Sequence, residues 1–207
     1  MSLASRRGIA TLIVLYASLM LVGLAAGPAA AGPLDPPAGY AKAFTCSACH
    51  GFGGNSKGDT VPILAAMPPP YLIKALKDYA AGKRPSTEME PYAKMAIHLG
   101  AEDVAAYFAA QKREPWAGRV DAAAAARGKT AAAACAACHG VDGRGDIARG
   151  IPDLRGQPPG YLENQMRLFK ADQRSPGDEA LKAPKAMMQT VPDATLADLA
   201  AYFASQR

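Results

Sequence analysis

The sequence predicts an all-α protein built as two tandem helical domains, and three observations carry that reading. Aromatic residues make up only 7 % of the chain, alanine and glycine are abundant, and β-branched residues are sparse, which favours helices over sheets. The chain repeats itself once, with the same order of motif, glycine-rich loop, proline and helices in each half. Each repeat opens on the same six-residue pattern: Cys46-Ser47-Ala48-Cys49-His50-Gly51 in the first half and Cys135-Ala136-Ala137-Cys138-His139-Gly140 in the second.

Cys-x-x-Cys-His is the attachment signature of c-type haem. Two residues between the cysteines let both sulfurs reach the vinyl groups on one edge of the porphyrin. The histidine that follows then turns its imidazole under the iron. The two motifs use all 4 cysteines and two of the 3 histidines. A structural zinc site would need a second Cys/His pair near each motif, yet the motifs lie 89 positions apart, from Cys46 to Cys135. A thioredoxin-like dithiol would need a strand-to-helix setting that the apolar pattern does not supply. Two disulfides would leave both histidines without a reason. The expected cofactors are therefore two covalently bound haem c groups, attached at Cys46 and Cys49 and at Cys135 and Cys138, with His50 and His139 as proximal ligands.

Residues 1–31 read as a cleavable signal peptide: Arg6 and Arg7, an uncharged apolar stretch from Gly8 to Ala26, Pro28, and Ala29-Ala30-Ala31 as a cleavage site before Gly32. The alternative is an uncleaved N-terminal anchor, because the stretch is nearly long enough to span a bilayer. Either way the rest of the chain is expected in the periplasm, with no membrane span in the mature chain. Losing Arg6 and Arg7 lowers Lys+Arg from 23 to 21 against 18 Asp+Glu, a balance of +3. Two haems bring about four propionates and carry the protein close to neutrality, so the basic balance is no argument for a nucleic-acid partner.

The repeat then runs in parallel through the first domain (32–113), a linker (114–120, around the REPWAGR segment) and the second domain (121–207). A glycine-rich loop follows each motif, GFGGNSKGD or GVDGRGDIARG. Pro62 comes 12 residues after its histidine and Pro152 comes 13 after its own. Proline-led helices follow, PPPYLIKALKDYAAGKR and PPGYLENQMRLFKADQR, with prolines where a helix start leaves N–H groups unpaired anyway. Each half continues through a methionine-bearing loop and closes with a matching helix, AEDVAAYFAAQK or ATLADLAAYFASQR. Val104, Tyr107 and Phe108 share one face there, as do Leu199, Tyr202 and Phe203. Each half is marginal for an independent core, so the haem is expected at its centre, with folding coupled to cofactor binding.

One histidine, His98, remains for the sixth positions, which excludes bis-histidine ligation at both haems; its place beside the last helix reads as surface. Methionine is the expected partner. The first half offers Met67, Met89 and Met95, and the second offers Met166, Met187 and Met188. Met67 precedes the proline run and comes too early in its domain. Met166 sits on the apolar side of a helix and reads as a core filler.

The mature chain resembles the bacterial dihaem cytochromes c of the c-four type, and is similar also to the dihaem subunit of flavocytochrome c sulfide dehydrogenase. The matching stretches are CSACHG with GNS, YLIKALKDYAAGKR and DVAAYFAAQ in the first half, then CAACHGVDGRG, DLRGQPPGYL and DLAAYFASQ in the second. The resemblance implies an axial methionine 18 residues before the tyrosine of the last helix. That residue is Met89 before Tyr107, within STEMEPYAK, with Met95 the alternative. The second half departs from the pattern, because Pro184 stands 18 before Tyr202. The family's Met-x-x-Val/Ile-Ala loop is matched best by Met188-Gln189-Thr190-Val191, so Met188 is the expected ligand and Met187 its alternative. The resemblance also implies that the Pro62 and Pro152 carbonyls accept hydrogen bonds from the proximal imidazoles; the plainer reading makes them turn prolines.

A haem closed by histidine and methionine leaves no site for substrate, so no catalytic residue is expected. The sequence reads as a periplasmic dihaem carrier of single electrons between respiratory or dehydrogenase partners, such as a dehydrogenase and a terminal oxidase. The alternative is the cytochrome subunit of a sulfide-oxidising flavocytochrome c, with its flavin on a separate chain, since no G-x-G-x-x-G opens a βαβ unit here. A dihaem peroxidase or thiosulfate-oxidising enzyme would instead need an open or unusually ligated iron.

Overall fold

The computed structural model describes residues 37–149, 151–174 and 182–207; the segment read as a signal peptide lies outside them. Among the described residues ten α-helices follow one another, five to each half. The first half holds α1 (Tyr40–Ala43), α2 (Ser47–His50), α3 (Pro69–Ala80), α4 (Met89–Leu99) and α5 (Ala101–Ala109). The second holds α6 (Ala122–Ala131), α7 (Ala136–His139), α8 (Pro159–Lys170), α9 (Lys182–Thr190) and α10 (Asp193–Ser205). The only β-type pairing among the described residues is an isolated bridge between Asp146 and Ile151.

Both proline-led helices start with proline within their first two positions, where the missing N–H has no partner to lose. They end alike. The N–H of Lys83 bonds to the carbonyl of Asp78 and that of Gln173 to the carbonyl of Leu168, a closure that needs a left-handed residue just before it. The first half places Gly82 there, at φ 68°, and the second Asp172, at φ 59°; aspartate is among the few side-chain-bearing residues that visit this region.

The methionine-bearing segments, expected as loops, are helices. Pro91 and Pro184 each occupy the third position of their helix, within the first turn, whose N–H groups make no intrahelical bond. Ser86 holds the entry to α4: its hydroxyl accepts from the N–H of Met89 at 3.1 Å and its carbonyl from that of Glu90.

The closing helices α5 and α10 organise each half. Tyr107 and Phe108 pack with Val104, Leu72 and Met67, while Tyr202 and Phe203 pack with Leu199, Leu162 and Tyr161. The loop after each proline is tied to this helix in the same way, by Ala66 N–H to the Phe108 carbonyl and Gly156 N–H to the Phe203 carbonyl. A Cβ at Gly39 would overlap the carbonyl of Asp103 on α5, and one at Gly128 that of Asp198 on α10. Glycine at both positions thus permits a close helix crossing in each half.

The segment between the halves, residues 111–121, contains no helix. Asn55 accepts from the N–H of Glu114 and donates to the carbonyl of Lys112, while the N–H of Trp116 donates to Gly156.

Candidate haem sites

In the first half, Cys46 and Cys49 stand on the approach to α2 and within it, and His50 closes that helix. The two cysteines are not joined in a disulfide. Burial pushes the Cys46 thiol up. His50 is 5 % exposed. Its Nδ1 lies 2.8 Å from the carbonyl oxygen of Pro62, an acceptor only, so Nδ1 carries the proton and Nε2 keeps its lone pair free. Burial lowers the pKa of His50, and the bond to Pro62 works against that shift. A neutral imidazole with a free Nε2 is the form that ligates a metal.

Next to His50 is a cavity of about 740 Å³, within the range of cofactor sites. Cys46, Cys49, His50 and Met89 all line it. Its walls include the apolar side chains of Ile63, Leu72, Val104 and Phe108. Met67 also lines it, while packing in the core with Phe108 and Leu72. Met95 is not among its lining residues and His98 is exposed.

The second half repeats the arrangement with looser contacts. His139 ends α7, and its Nδ1 lies 3.4 Å from the carbonyl of Pro152. Burial again lowers the histidine pKa, opposed by that carbonyl, and burial raises the Cys135 thiol. Met188 is half-buried on α9, whereas Met187 is exposed. Met166 packs against the second core, beside Leu199 and Tyr202.

The first cavity is completed by the second half. Tyr161, Gln165 and Leu168 of α8 line it, and so does Arg84. Here lies a polar cluster that sequence reasoning missed. Arg84 donates to Gln165 Oε1 at 3.0 Å and to the Tyr161 hydroxyl at 2.9 Å. Arg174 donates to the same Gln165 oxygen at 2.9 Å and to the Tyr71 hydroxyl at 3.2 Å. The two hydroxyls lie 3.4 Å apart. The repeat carried a signal for it, a tyrosine followed 13 positions later by an arginine in both halves, Tyr71 to Arg84 and Tyr161 to Arg174.

Both guanidiniums are buried, at 2 % and 9 % exposure, and among the described residues neither has a carboxylate partner. Burial pushes the Tyr71 hydroxyl up, but Arg174 and Arg84 outweigh it and draw the pKa down to about 7. Two buried cations relieved only by phenols and one amide oxygen want an anion. A haem brings carboxylates together with an apolar ring, and this cavity offers apolar walls, two thiols, a free imidazole nitrogen and a cationic rim. The residues fit the group.

The family model for cytochrome c matches residues 125–207. The chain is 35 % identical to cytochrome c4 of Pseudomonas aeruginosa over 171 residues, covering 78 % of this chain and 83 % of that protein. The chain belongs to the cytochrome c4 family. The crystal structure of reduced recombinant cytochrome c4 from Pseudomonas stutzeri matches with a TM-score of 0.73 at 29 % identity, covering 82 % of this chain and 97 % of that one. Two relatives carry names of another kind. The thiosulfate dehydrogenase electron acceptor of Thiomonas intermedia is 33 % identical over 78 % of this chain and 76 % of its own length. The cytochrome subunit of sulfide dehydrogenase of Chlorobaculum tepidum is 35 % identical over 43 % of this chain and 91 % of its own length.

As a c4-type protein the chain is a dihaem c-type cytochrome that transfers electrons and is not an enzyme in its own right. Its two Cys-x-x-Cys-His motifs provide for two covalent haem c groups, each supplying a one-electron iron couple when bound. No helix among the described residues is long and apolar enough to cross a membrane.

Proposed function

We propose that this c4-type cytochrome is a periplasmic carrier that accepts single electrons from a dehydrogenase and delivers them to a terminal oxidase or similar acceptor. Each half, residues 32–113 and 121–207, is one haem domain. His50 and Met89 are the axial ligands in the first, His139 and Met188 in the second. The observation that carries this reading is the first cavity, which both cysteines, His50 and Met89 line and Met95 does not, with His50 Nδ1 taken up by Pro62. In the second half, the partial burial of Met188 against the exposure of Met187 supports the same pairing. The Pro62 and Pro152 carbonyls orient the imidazoles and raise their basicity as ligands.

Iron closed on both sides by protein has no place for substrate, so the residues' task is to hold the couple, exclude water and set its potential. The reading is tested by the absorption spectrum. Low-spin ferric haem with the weak methionine-to-iron charge-transfer band is the expected result; a high-spin ferric spectrum without that band overturns it and points to an enzyme.

For the donor, two readings follow from the names of relatives. A thiosulfate-oxidising dehydrogenase is one, by likeness to the Thiomonas protein. The other makes the chain a fixed cytochrome subunit beside a sulfide-oxidising flavoprotein, supported by the Chlorobaculum relative. Purification from the native cell separates them: a free carrier elutes alone, whereas a subunit elutes with a flavin-bearing chain. Recovery of the cytochrome without the first 31 residues from the periplasmic fraction tests the location.

A further inference from the structure

The second half reaches into the first at one more point. Gln157, 1 % exposed, lies against Ile63, which is 0 % exposed. Its Oε1 accepts from the Ile63 N–H at 2.9 Å and its Nε2 donates to the Ile63 carbonyl at 2.8 Å. The Ile63 N–H belongs to the same peptide group as the Pro62 carbonyl. That carbonyl faces His50 Nδ1 at 2.8 Å. One peptide therefore links the His50 N–H, the Pro62 oxygen, the Ile63 N–H and the Gln157 oxygen in an unbroken line.

Hydrogen bonds in such a line polarise one another. An acceptor on the N–H side places more negative charge on the carbonyl oxygen, which strengthens its bond to the imidazole and makes that ring a better donor to ferric iron. We infer that Gln157 is a positioning residue for the first haem, through which the second half sets the basicity of His50. The inference rests on the axial role of His50 proposed above. Among the described residues it has no counterpart in the other direction. The residue at the equivalent position of the first half is Met67, a thioether that cannot donate and accepts only weakly. In keeping with this, the His139–Pro152 contact is the longer one, 3.4 Å.

The test is made on the holoprotein. In Gln157→Met, which copies the first half, the His50 Nδ1–H should exchange roughly tenfold faster by NMR on the reduced protein. The reduction equilibrium of the first haem should shift about threefold toward ferrous, or roughly 28 mV at 59 mV per decade. The second haem should not move. Gln157→Glu, whose buried carboxyl is held neutral and keeps both bonds to Ile63, should retain wild-type values. Equal shifts at both haems, or none at either, overturn the inference. Should Gln157→Met not fold, the wild type still decides: the His50 Nδ1–H must exchange more slowly than that of His139, and the reverse order overturns the inference. Large paramagnetic shifts on the His50 ring of the oxidised protein test the axial reading separately, and their absence overturns both.

Discussion

The two halves share a plan but not a finish. The Cys-x-x-Cys-His turn, the loop returning to the closing helix, the glycine at the helix crossing and the proline-led helix recur in both. The differences gather elsewhere. The imidazole contact is 2.8 Å in one half and 3.4 Å in the other. The helix crossing is made by the short α1, with Gly39 at its N-cap, in the first half, and by the longer α6, with Gly128 inside it, in the second. Gln157 faces the first half where Met67 stands in the equivalent place. What repeats is what a haem needs from its own domain; what differs lies largely where the domains meet or where a sixth ligand enters.

The methionines break the comparison most sharply. Met89→Ala should open the first iron alone to carbon monoxide and lower its potential. Met188→Ala should do so at the second alone, each read by carbon monoxide difference spectra. A Met89→Ala protein that binds no carbon monoxide and keeps its potential would make Met95 the ligand, and the same outcome in Met188→Ala would select Met187.

Next in size are the core aromatics. Phe108→Ala and Phe203→Ala, at 1 % and 2 % exposure, should each cost about 3–5 kcal/mol. The seam where Arg84, Tyr161, Gln165 and Arg174 tie the halves together should make denaturant unfold both haem environments together in either variant. Separate transitions would show that the halves are independent.

A smaller loss is expected at the crossings. Gly128→Ala sets a methyl against the Asp198 carbonyl and should cost about 1–3 kcal/mol. Gly39→Ala adds the penalty of a left-handed backbone at φ 79°, so thermal melting should rank it the worse of the two.

The smallest effect sharpens the contrast by pH. The Asp193 carboxylate, bonded by Lys170 and then Arg167, is held below its ordinary 3.8. A depressed carboxylate stabilises the fold above its unfolded pKa and loses that contribution as pH falls through the folded one. The first half has Ala80 in the place of Lys170. Asp193→Asn should therefore remove a slight acid sensitivity from the second half only, measured as melting temperature between neutral and acid pH; being exposed, the pair is worth little.

Much of this was legible in residues whose spacing is dictated by chemistry. The haem motifs, Pro62 and Pro152 at matched distances, and the apolar faces of the closing helices all announce themselves. The helices carrying Met89 and Met188 did not, because Pro91 and Pro184 look like breakers until their place in the first turn is known. The seam was harder still. The repeated Tyr-to-Arg spacing marks Tyr71, Arg84, Tyr161 and Arg174, but it does not say that two arginines 90 positions apart share one oxygen of Gln165. Gln157 was silent for the same reason: its partner is a backbone peptide 94 residues away.

The seam also bears on modularity. A repeat with a helix-free connection at residues 111–121 invites dissection into two single-haem pieces. Severed there, the first piece would keep Arg84 but lose Tyr161 and Gln165, and its haem cavity would lie open along the side that α8 had walled. The second piece would keep its core around Phe203 and expose Gln157, Tyr161, Gln165, Leu168 and Arg174 at the break. The duplicated chain is thus asymmetric as a construction: the second half is close to a self-sufficient part, and the first is finished by its neighbour.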